Sequence, residues 1–454
     1  MAYKSVNPYT QKVLGKYEIL QDRELHLKLE KAEQSFFYWS DRPIKERAKL
    51  MMDIAGLLDQ QKSKHASIIT AEMGKPISQS VAEVEKCAWL CRYYAEHAEK
   101  HLKPLDMEST AKESQVWFEP LGIIFAVMPW NFPYWQVFRY LTPNFVAGNA
   151  CLLKHASNVP QCAEAIEKLF LQAGAHEGVF QNLFIDYRQS EIVIKHSRVA
   201  GVTLTGSNYA GYKIAEISGR NGKKTVLELG GSDPFIVFES ADLEKAVETG
   251  IIARFQNTGQ SCIAAKRFFV QDKIFDDFVN RTTEKVKKQK TGDPMDPETN
   301  IGPIAREDLL LELEDQINRM AGEGGRIITG GKRIYPDKLL LEPTIITGLS
   351  PGSPINNEEL FGPVLPLFLF HDEQEVVPLA NHNPFGLGAN VWTSDPDQAK
   401  RVAHQLETGT VAINGMVKSE PNLPFGGVKA SGYGRELSVF GIREFVNIKT
   451  VNFF

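Results

Sequence analysis

Short apolar runs that alternate with helix-like stretches constrain the fold of this chain more than any other feature. Four such runs lie at residues 123–127, 150–153, 182–185 and 202–204. Strands that are apolar on both faces are typical of a parallel sheet covered by helices on both sides. The pattern therefore predicts an α/β fold built on a parallel sheet.

A second set of the same kind follows later in the chain. Residues 235–237 and 268–270 are apolar runs, and residues 243–255 between them have the length and periodicity of a helix. The composition changes after Gly230 and Gly231, where we place a hinge between two α/β domains. A chain of 454 residues is also too long for a single hydrophobic core.

Two segments read as strands at the edge of the structure. Residues 113–119 alternate between apolar and polar side chains, and so does the tail at 444–454. An uncovered terminal edge strand tends to aggregate. We therefore expect the tail to pair with the connector strand of a neighbouring subunit, in a homodimer or a homotetramer.

Charge and composition exclude several classes of protein. The net charge is −5 with acids and bases interspersed, which indicates neither a nucleic-acid partner nor a membrane surface. The longest apolar run, at 121–128, is too short to span a bilayer, and the N-terminus lacks a signal-peptide core. Five scattered cysteines are typical of reduced thiols in a cytoplasmic protein. Cys87 and Cys91 lack the partners of a zinc site, so no metal is expected.

Residues 255–262 are the strongest candidate for chemistry. They end a helix-like run and deliver Cys262 through a turn at Gly259. Small and amide side chains flank this thiol, whereas a structural cysteine usually has apolar neighbours. The setting favours a nucleophile, although a structural cysteine after a glycine turn stays open at this point.

Two turns could hold a nucleotide, although neither the glycine fingerprint G-x-G-x-x-G nor a phosphate loop occurs. Residues 202–211 form a strand that runs through Gly206 into a helix, whose N-terminus could bind phosphate. Lys154 and Ser157 follow another strand, at the edge where parallel sheets bind ligands. A plain strand-to-helix turn and a solvated loop are the alternatives.

Seven short motifs occur in one order along the chain. They are Pro129-Trp130-Asn131-Phe132-Pro133, Lys154-His155-Ala156-Ser157, Thr205-Gly206-Ser207, Leu227-Glu228-Leu229-Gly230-Gly231, residues 255–262, Glu359-Leu360-Phe361-Gly362-Pro363, and Pro424-Phe425-Gly426-Gly427 with Gly432-Tyr433-Gly434-Arg435-Glu436. Together they resemble the aldehyde dehydrogenase superfamily over nearly the whole chain. Residues 133–139 and 262–267 are most similar to succinate-semialdehyde dehydrogenases, and His155 departs from the proline of many relatives.

The resemblance implies an aldehyde dehydrogenase-like fold of two Rossmann-like parallel-sheet domains and a small β oligomerisation extension. Residues 1–101 and 121–229 would form the dinucleotide-binding domain. Residues 230–430 would form the catalytic domain, and residues 102–120 and 440–454 the oligomerisation strands.

The resemblance also implies the catalytic residues. Cys262 would attack an aldehyde to give a thiohemiacetal, whose oxidation leaves a thioester. Glu228 would take the thiol proton and later activate water, rather than serve as a strand-end turn residue. The Asn131 amide and the Cys262 backbone N–H would stabilise the oxyanion. Asn131 could instead brace its flanking prolines.

The cofactor residues are carried over in the same way. The resemblance assigns the dinucleotide to Trp130, Lys154, Ser157, Gly206, Ser207, Leu229, Glu359 and Phe361. NAD-specific relatives often have glutamate where Ser157 stands, to accept hydrogen bonds from the ribose 2′-hydroxyl. A serine can donate to a 2′-phosphate instead, with Lys154 alongside. We therefore expect NADP to be preferred and NAD to be tolerated.

Three residues are expected to contact the substrate. Arg139, near the mouth, would bind the distal carboxylate of succinate semialdehyde through its guanidinium. Ser419 would be a second contact to that carboxylate, and Phe425 would form part of an apolar tunnel wall.

Glu436 is a further acid of the family pattern. It would relay protons, or form a salt bridge with Arg435 or Arg443.

Other functions of the same scaffold remain alternatives. CoA-acylating relatives usually lack the glutamate base, so Glu228 argues for hydrolysis of the thioester. A betaine-aldehyde or general aliphatic enzyme would not need Arg139. A structural, lens-type relative would have lost catalytic residues, whereas Cys262, Glu228 and Asn131 are all present.

The cofactor preference can be tested at one position. Ser157→Glu should lower the ratio of kcat/KM for NADP over NAD by about 10-fold or more, because the carboxylate repels the 2′-phosphate. Initial rates with each dinucleotide at a fixed aldehyde concentration measure this ratio. An unchanged preference would show that Ser157 does not face the ribose.

Overall fold

The computed structural model describes residues 3–454, without the side chains of Pro354 and Ile355. The chain begins with a β-hairpin and four helices: β1 (Tyr3–Val6), β2 (Val13–Tyr17), α1 (Asp22–Ser40), α2 (Ile44–Gln60), α3 (Lys62–Met73) and α4 (Ile77–His101). These helices are amphipathic. In α1, for example, Leu25, Leu29 and Ala32 share one face and are buried.

The first large sheet follows two short connecting strands. The elements are β3 (Leu105–Asp106), β4 (Glu113–Pro120), β5 (Ile123–Met128), α5 (Trp135–Ala147), β6 (Ala150–His155), α6 (Pro160–Gln172), β7 (Phe180–Asn182), α7 (Tyr187–Lys195), β8 (Val199–Thr205), α8 (Asn208–Arg220) and β9 (Lys224–Glu228). Strands β9, β8, β5, β6 and β7 lie parallel in that order. Successive residues of β5 face opposite cores, since Ile124 packs with α2–α6 and Ile123 with α1, α7 and α8.

The second large sheet has the same organisation. Its elements are β10 (Asp233–Val237), α9 (Leu243–Phe255), β11 (Ala265–Gln271), α10 (Asp272–Lys287), α11 (Glu307–Gly322), β12 (Arg326–Thr329), β13 (Thr344–Thr347), β14 (Val364–Phe370), α12 (Glu373–Asn381), β15 (Phe385–Gly386), β16 (Gly388–Trp392), α13 (Pro396–Gln405) and β17 (Thr410–Ile413), with 3-10 turns at Gln256–Gly259 and Pro354–Asn357. The order is β12-β13-β14-β11-β10-β16-β17, and only the β12–β13 pair is antiparallel. Helices cover both faces.

The last elements return to the first sheet. They are β18 (Val428–Lys429), β19 (Gly432–Tyr433), α14 (Ser438–Glu444) and β20 (Val446–Phe453). Strand β19 runs antiparallel to β9 and sets Gly432 opposite Glu228. An isolated bridge pairs Phe425 with Glu436. The C-terminal segment therefore covers the end of β9.

These sheets confirm the predicted α/β fold with parallel-sheet domains, whereas the domain boundaries stay a prediction. The apolar runs at 123–127, 150–153 and 202–204 lie within β5, β6 and β8. The run at 182–185 was wrong as a strand, because β7 ends at Asn182. Leu183 and Ile185 are buried from the loop that follows it. Among residues 3–454, no helix combines the length and the hydropathy needed to cross a membrane.

The expected pairing of the tail with a neighbouring subunit was wrong in its partner. Strand β20 pairs antiparallel with β4 of the same chain, in a three-stranded sheet of order β20-β4-β3. Asn149 explains this pairing. Its Oδ1 accepts from the N–H groups of Leu121 and Gly122, and its Nδ2 donates to the Phe445 carbonyl. One buried amide thus joins the end of β4 to the start of β20.

A buried ion pair fixes the start of α5, the helix that follows the Asn131 motif. One carboxylate oxygen of Glu83 in α4 accepts from the N–H groups of Tyr134 and Trp135, both at 2.9 Å. The other oxygen pairs with Lys75, and both side chains are almost fully buried. The Lys75 ammonium also lies 3.8 Å from the centre of the Phe132 ring. These contacts set the position of the loop that carries Asn131.

The buried pair should therefore matter for stability. Lys75→Met removes one charge and leaves Glu83 uncompensated, which should lower the free energy of unfolding by about 3–5 kcal/mol. The midpoint of urea unfolding measures this loss. Lys49→Met, which breaks the exposed Lys49–Asp53 pair, is the matched control and should cost less than about 1 kcal/mol. Equal midpoints for the two variants would contradict the assignment.

Candidate active site

A cavity of 790 Å³ lies where the carboxyl ends of β5, β6, β8 and β9 meet. Parallel sheets of this kind bind ligands at that edge. The wall contains many of the residues singled out in the sequence: Trp130, Asn131, Lys154, Gly206, Ser207, Leu229, Cys262, Glu359 and Phe361. Glu228, Ser157, Arg139, Ser419, Phe425 and Glu436 lie outside this wall. The structure thus brings the nucleophile candidate and most of the cofactor candidates together.

The loop that delivers Cys262 has an unusual backbone. Asn257, Thr258 and Gly259 are three consecutive residues in the left-handed region, at φ 55°, 58° and 72°. A β-carbon at Gly259 would collide with the carbonyl of Gly362. Such backbone costs free energy at each non-glycine residue and persists only where the surroundings hold it. Cys262 follows this turn and is partly exposed at the cavity wall.

Hydrogen bonds from the first sheet hold this turn in place. Asn257 Nδ2 donates to the backbone carbonyls of Asn131 at 2.8 Å and Gln260 at 2.9 Å. The side chain of Asn131 also donates to the Gln260 carbonyl, at 3.1 Å. Gln136 Nε2 donates to Asn131 Oδ1 at 3.1 Å, which fixes which end of the amide points to the Cys262 loop. One N–H of the Asn131 amide stays available to a ligand.

The electrostatic environment keeps the Cys262 thiol protonated. Burial raises its pKa to about 11, and Glu359 and Glu228 act in the same direction. The positive charges of Arg139 and Lys266 oppose the shift but do not cancel it. A thiol in this state needs a base before it can act as a nucleophile.

Glu228 is a buried acid without hydrogen-bond partners. It is 2% exposed, and neither of its carboxylate oxygens has a partner among the described residues. Burial raises its pKa well above the usual value and Glu436 adds to this, while Arg139 and Arg435 lower it. A carboxyl group that is buried, unsatisfied and close to a second acid is a candidate for proton transfer.

Arg139, expected near the mouth of the site, is enclosed and paired with an acid, and its contact with the substrate stays a prediction. Its side chain is 2% exposed, and its Nε lies 2.7 Å from Oε2 of Glu436. Its Nη2 donates to Thr205 at 3.4 Å, and its guanidinium lies 4.7 Å from the centre of the Phe425 ring. Helix α5 is buried over its whole length, so a guanidinium on it requires a counter-charge inside the protein.

The Arg139–Glu436 ion pair differs from the salt bridge that was expected for Glu436. Arg435 donates to the carbonyls of Gly427 and Gly434. Arg443 donates to the carbonyl of His101. The arginine that pairs with Glu436 comes instead from α5, a distant part of the sequence.

Glu359 is held by a lysine that the sequence motifs gave no reason to select. Lys266 is fully buried, and its ammonium lies 3.0 Å from Glu359 Oε1 and 2.6 Å from the Cys262 carbonyl. The N–H of Gly231 donates to the same Glu359 oxygen at 3.1 Å. Lys266 therefore links the loop of the thiol to the carboxylate expected to bind the nicotinamide ribose.

The segment around Glu359 is braced from α9. Arg254 is fully buried, and it donates to the carbonyls of Leu360, Gly362 and Val364. The same segment places the Phe361 ring edge-on to Trp130, with 5.8 Å between ring centres. The two rings form one wall of the cavity, of a kind that suits a flat heteroaromatic group.

The phosphate and ribose candidates lie along one side of the cavity. Gly206 and Ser207 precede α8, and Ser207 caps that helix by accepting from the Ala210 N–H at 3.4 Å. The positive end of this helix thus faces the cavity and suits a pyrophosphate. Lys154 lies close to the ring of Tyr3, whereas Ser157 sits on the next turn with its side chain exposed. These residues fit a dinucleotide.

Ser419 lies within a small polar cluster that includes one unpredicted residue. Its hydroxyl accepts from Trp135 Nε1 at 2.9 Å and from the ammonium of Lys86 at 3.1 Å. Lys86 comes from α4, one helical turn after Glu83. In the sequence, the only indication of a role for Lys86 is its position one helical turn after Glu83. This spacing does not distinguish Lys86 from a surface lysine.

Comparisons with known proteins agree with this geometry. The model of the aldehyde dehydrogenase family matches residues 1–451. A probable succinate-semialdehyde dehydrogenase (NADP(+)) of Synechocystis sp. is 44% identical over 451 residues, which cover 99% of each chain. A succinate-semialdehyde dehydrogenase (NADP(+)) of Deinococcus radiodurans is 42% identical over 452 residues, 100% of this chain and 95% of that protein.

A solved structure is similar along its whole length. The succinic semialdehyde dehydrogenase of Streptococcus pyogenes, in complex with NADP+ as the cofactor, has a TM-score of 0.97 and is 40% identical. The match covers 99% of both chains.

The raised pKa of the thiol predicts how it should react. Only the thiolate is alkylated, so the rate of iodoacetamide labelling at Cys262 should rise about 10-fold per pH unit between pH 7 and pH 9. Peptide mass spectrometry of samples quenched at intervals measures this rate. Cys262→Ser is the control and should lose the label. A labelling rate that levels off near pH 7 would show that the thiol is activated without a base.

Proposed function

The chain belongs to the aldehyde dehydrogenase family, and from this premise we propose that it oxidises succinate semialdehyde to succinate with NADP as the oxidant. One observation carries most weight: the Cys262 thiol stands at the wall of a cavity lined by the dinucleotide candidates. The names of the similar proteins from Synechocystis and Deinococcus support the choice of substrate and cofactor.

Cys262 forms the covalent bond to the substrate. Its thiol gives up its proton as the sulfur attacks the aldehyde carbon, which produces a thiohemiacetal. A nicotinamide dinucleotide held in this cavity would supply the acceptor for the hydride that leaves this carbon. The bond between Cys262 and the oxidised carbon is then a thioester. The left-handed turn at residues 257–259 supports this role, since it presents the sulfur to the cavity on a braced backbone.

Asn131 and the backbone of Cys262 stabilise the oxygen of the tetrahedral adduct. The Asn131 amide is held by Gln136 and by the Gln260 carbonyl, so that it is already oriented before the substrate arrives. A donor oriented in advance stabilises developing negative charge without reorganisation, and losing one such donor typically costs about 3 kcal/mol.

Glu228 is the base for both halves of the reaction. It takes the thiol proton and later activates the water that hydrolyses the thioester. Its raised pKa brings the carboxyl group towards the range in which it can exchange protons near neutral pH. Glu436 lies close enough to raise that pKa further and can pass the proton onwards. A buried acid with two unsatisfied oxygens argues against a purely structural relative.

Different parts of the cavity wall bind different parts of the dinucleotide. The N-terminus of α8, with Gly206 and Ser207, binds the pyrophosphate. Glu359, held by Lys266, binds the nicotinamide ribose, and Trp130, Leu229 and Phe361 surround the ring. Lys154 and Ser157 bind the 2′-phosphate of NADP, and NAD is tolerated because the serine does not repel a free hydroxyl.

The substrate lies between the thiol and a positively charged end. Phe425 forms part of its apolar wall, and Ser419 donates to the distal carboxylate. Arg139 adds positive charge, although Glu436 neutralises part of it. Another small aldehyde would use the same thiol chemistry but would gain nothing from this end of the site.

The proposal extends to the oligomeric state of the protein and to its cellular compartment. Strand β20 is at the edge of its sheet, and Ile448 and Phe453 on it are 61% and 46% exposed. An exposed apolar edge strand supports a homodimer or a homotetramer, since such edges tend to be covered. Free cysteines throughout the described chain support the reducing cytoplasm.

A variant without the base tests the central step. Glu228→Gln should lower steady-state NADPH formation from succinate semialdehyde by about 10²- to 10⁴-fold, because neither the thiol nor the water is activated. At pH 9, where part of the Cys262 thiol ionises without a base, peptide mass spectrometry after quenching should find a succinyl group at Cys262, because hydrolysis of the thioester still lacks its base. Cys262→Ala is the matched control, with neither label nor turnover. A label at another residue, or turnover by Cys262→Ala, would contradict the proposal.

A further inference from the structure

Lys86 is a cation that has no role in the proposed reaction steps. It is largely enclosed, its ammonium lies 4.1 Å from the centre of the Trp135 ring, and it donates to Ser419 at 3.1 Å. Its ammonium has no ion-pair partner among residues 3–454. Most lysines stay in water or pair with a carboxylate when enclosed. An enclosed ammonium without a counter-ion suits an anionic ligand.

The hydrogen bonds around Ser419 leave donors that are available to such a ligand. Ser419 is 3% exposed, and its oxygen accepts from both Lys86 and Trp135. Trp135 can only donate, so the hydroxyl hydrogen of Ser419 remains to be given to an acceptor. The ammonium of Lys86 likewise has two further N–H groups. A carboxylate can accept from both residues at once.

A second positive charge lies close to this cluster. Arg139 is near enough to Lys86 for their charges to repel. Glu436 pairs with Nε of Arg139, while Nη1 has no hydrogen-bond partner among the described residues. Among the described residues, these two cations share one ion-pair carboxylate, Glu436, and it pairs with Arg139, so the ammonium of Lys86 has no carboxylate of its own.

We propose that Lys86 and Ser419 together bind the distal carboxylate of the substrate, and that Lys86 selects ω-oxo carboxylates over neutral aldehydes. This inference rests on the proposed function and names the residue that reads the far end of the molecule. Arg139 is held by Glu436, so it adds positive potential rather than binding the carboxylate through a free guanidinium.

The charge of Lys86 is tuned by its surroundings. Burial lowers its pKa to about 8, and Arg139 of α5 acts in the same direction. Cys87 and Glu83 of α4, and Glu420 of the loop after Ser419, act in the opposite direction. The ammonium is therefore present below about pH 8 and is lost as the pH rises through that value. Selectivity for a charged substrate should decline over the same range.

Two variants at this position separate charge from packing. Lys86→Met keeps the length of the side chain and removes its charge, and Lys86→Arg restores a permanent charge. For Lys86→Met, the ratio of kcat/KM for succinate semialdehyde over butanal should fall about 10- to 100-fold, mainly through KM. Lys86→Arg should recover most of the ratio. Lys100→Met, an exposed lysine on the same helix, is the matched control and should not change it.

The pH dependence of this selectivity ratio is a second measurement. It removes the charge of Lys86 by titration instead of by mutation. In the unmodified protein the same ratio should fall as the pH rises from 7 to 9, with a midpoint near 8. Taking the ratio cancels the titration of Cys262 and Glu228, which act on both aldehydes alike. The ratio of Lys86→Arg should stay constant over this range.

The outcomes distinguish failure of the proposed function from failure of the role assigned to Lys86. If the unmodified protein does not oxidise succinate semialdehyde, the proposed function fails. If it does, but Lys86→Met keeps the ratio, the assignment of Lys86 fails while the proposed function stands. Equal losses on both aldehydes that Lys86→Arg does not restore would make Lys86 a structural residue and overturn the inference.

Discussion

The hydrogen bonds between Asn131 and the turn at residues 257–260 connect the two halves of the site. Asn131 follows the first sheet, and the turn leads into the second sheet. Asn257 donates to the Asn131 carbonyl, while Asn131 donates to the Gln260 carbonyl. Because these bonds hold three left-handed residues in place, the thiol and the proposed oxyanion donor have one relative position.

Buried charges surround this connection, and three pairs of them are closely matched. Lys75 with Glu83, Lys266 with Glu359, and Arg139 with Glu436 each come from separate elements. Taking such charges out of water is costly, so each pair must be matched closely. The first pair positions α5, and the second positions the carboxylate proposed to bind the ribose. The third pair lies beside the proposed base. The three ion pairs therefore orient groups at the site, and the cost of removing their charges from water reduces their net contribution to stability.

Two enclosed groups that have no such partner coincide with the proposed chemistry. Glu228 has a buried carboxyl group without hydrogen-bond partners, and Lys86 has an ammonium without a carboxylate. In the proposed mechanism, Glu228 acts on the aldehyde end of the substrate and Lys86 on its carboxylate end. Unsatisfied groups are expensive, and a substrate or water that satisfies them recovers part of that free energy.

The α/β class and the local motifs could be predicted from the sequence. The alternation of apolar runs indicated the parallel sheets, and the residues of the Cys262, Asn131 and Glu359 motifs could be selected because each motif is contiguous. Which charges meet became visible in the folded chain alone. Lys86 and Ser419 are 333 positions apart, and Arg139 pairs with Glu436 rather than with a neighbouring arginine of that acid. Local patterns report backbone conformation and periodicity, whereas the partner of a buried charge is set by the packing of distant elements.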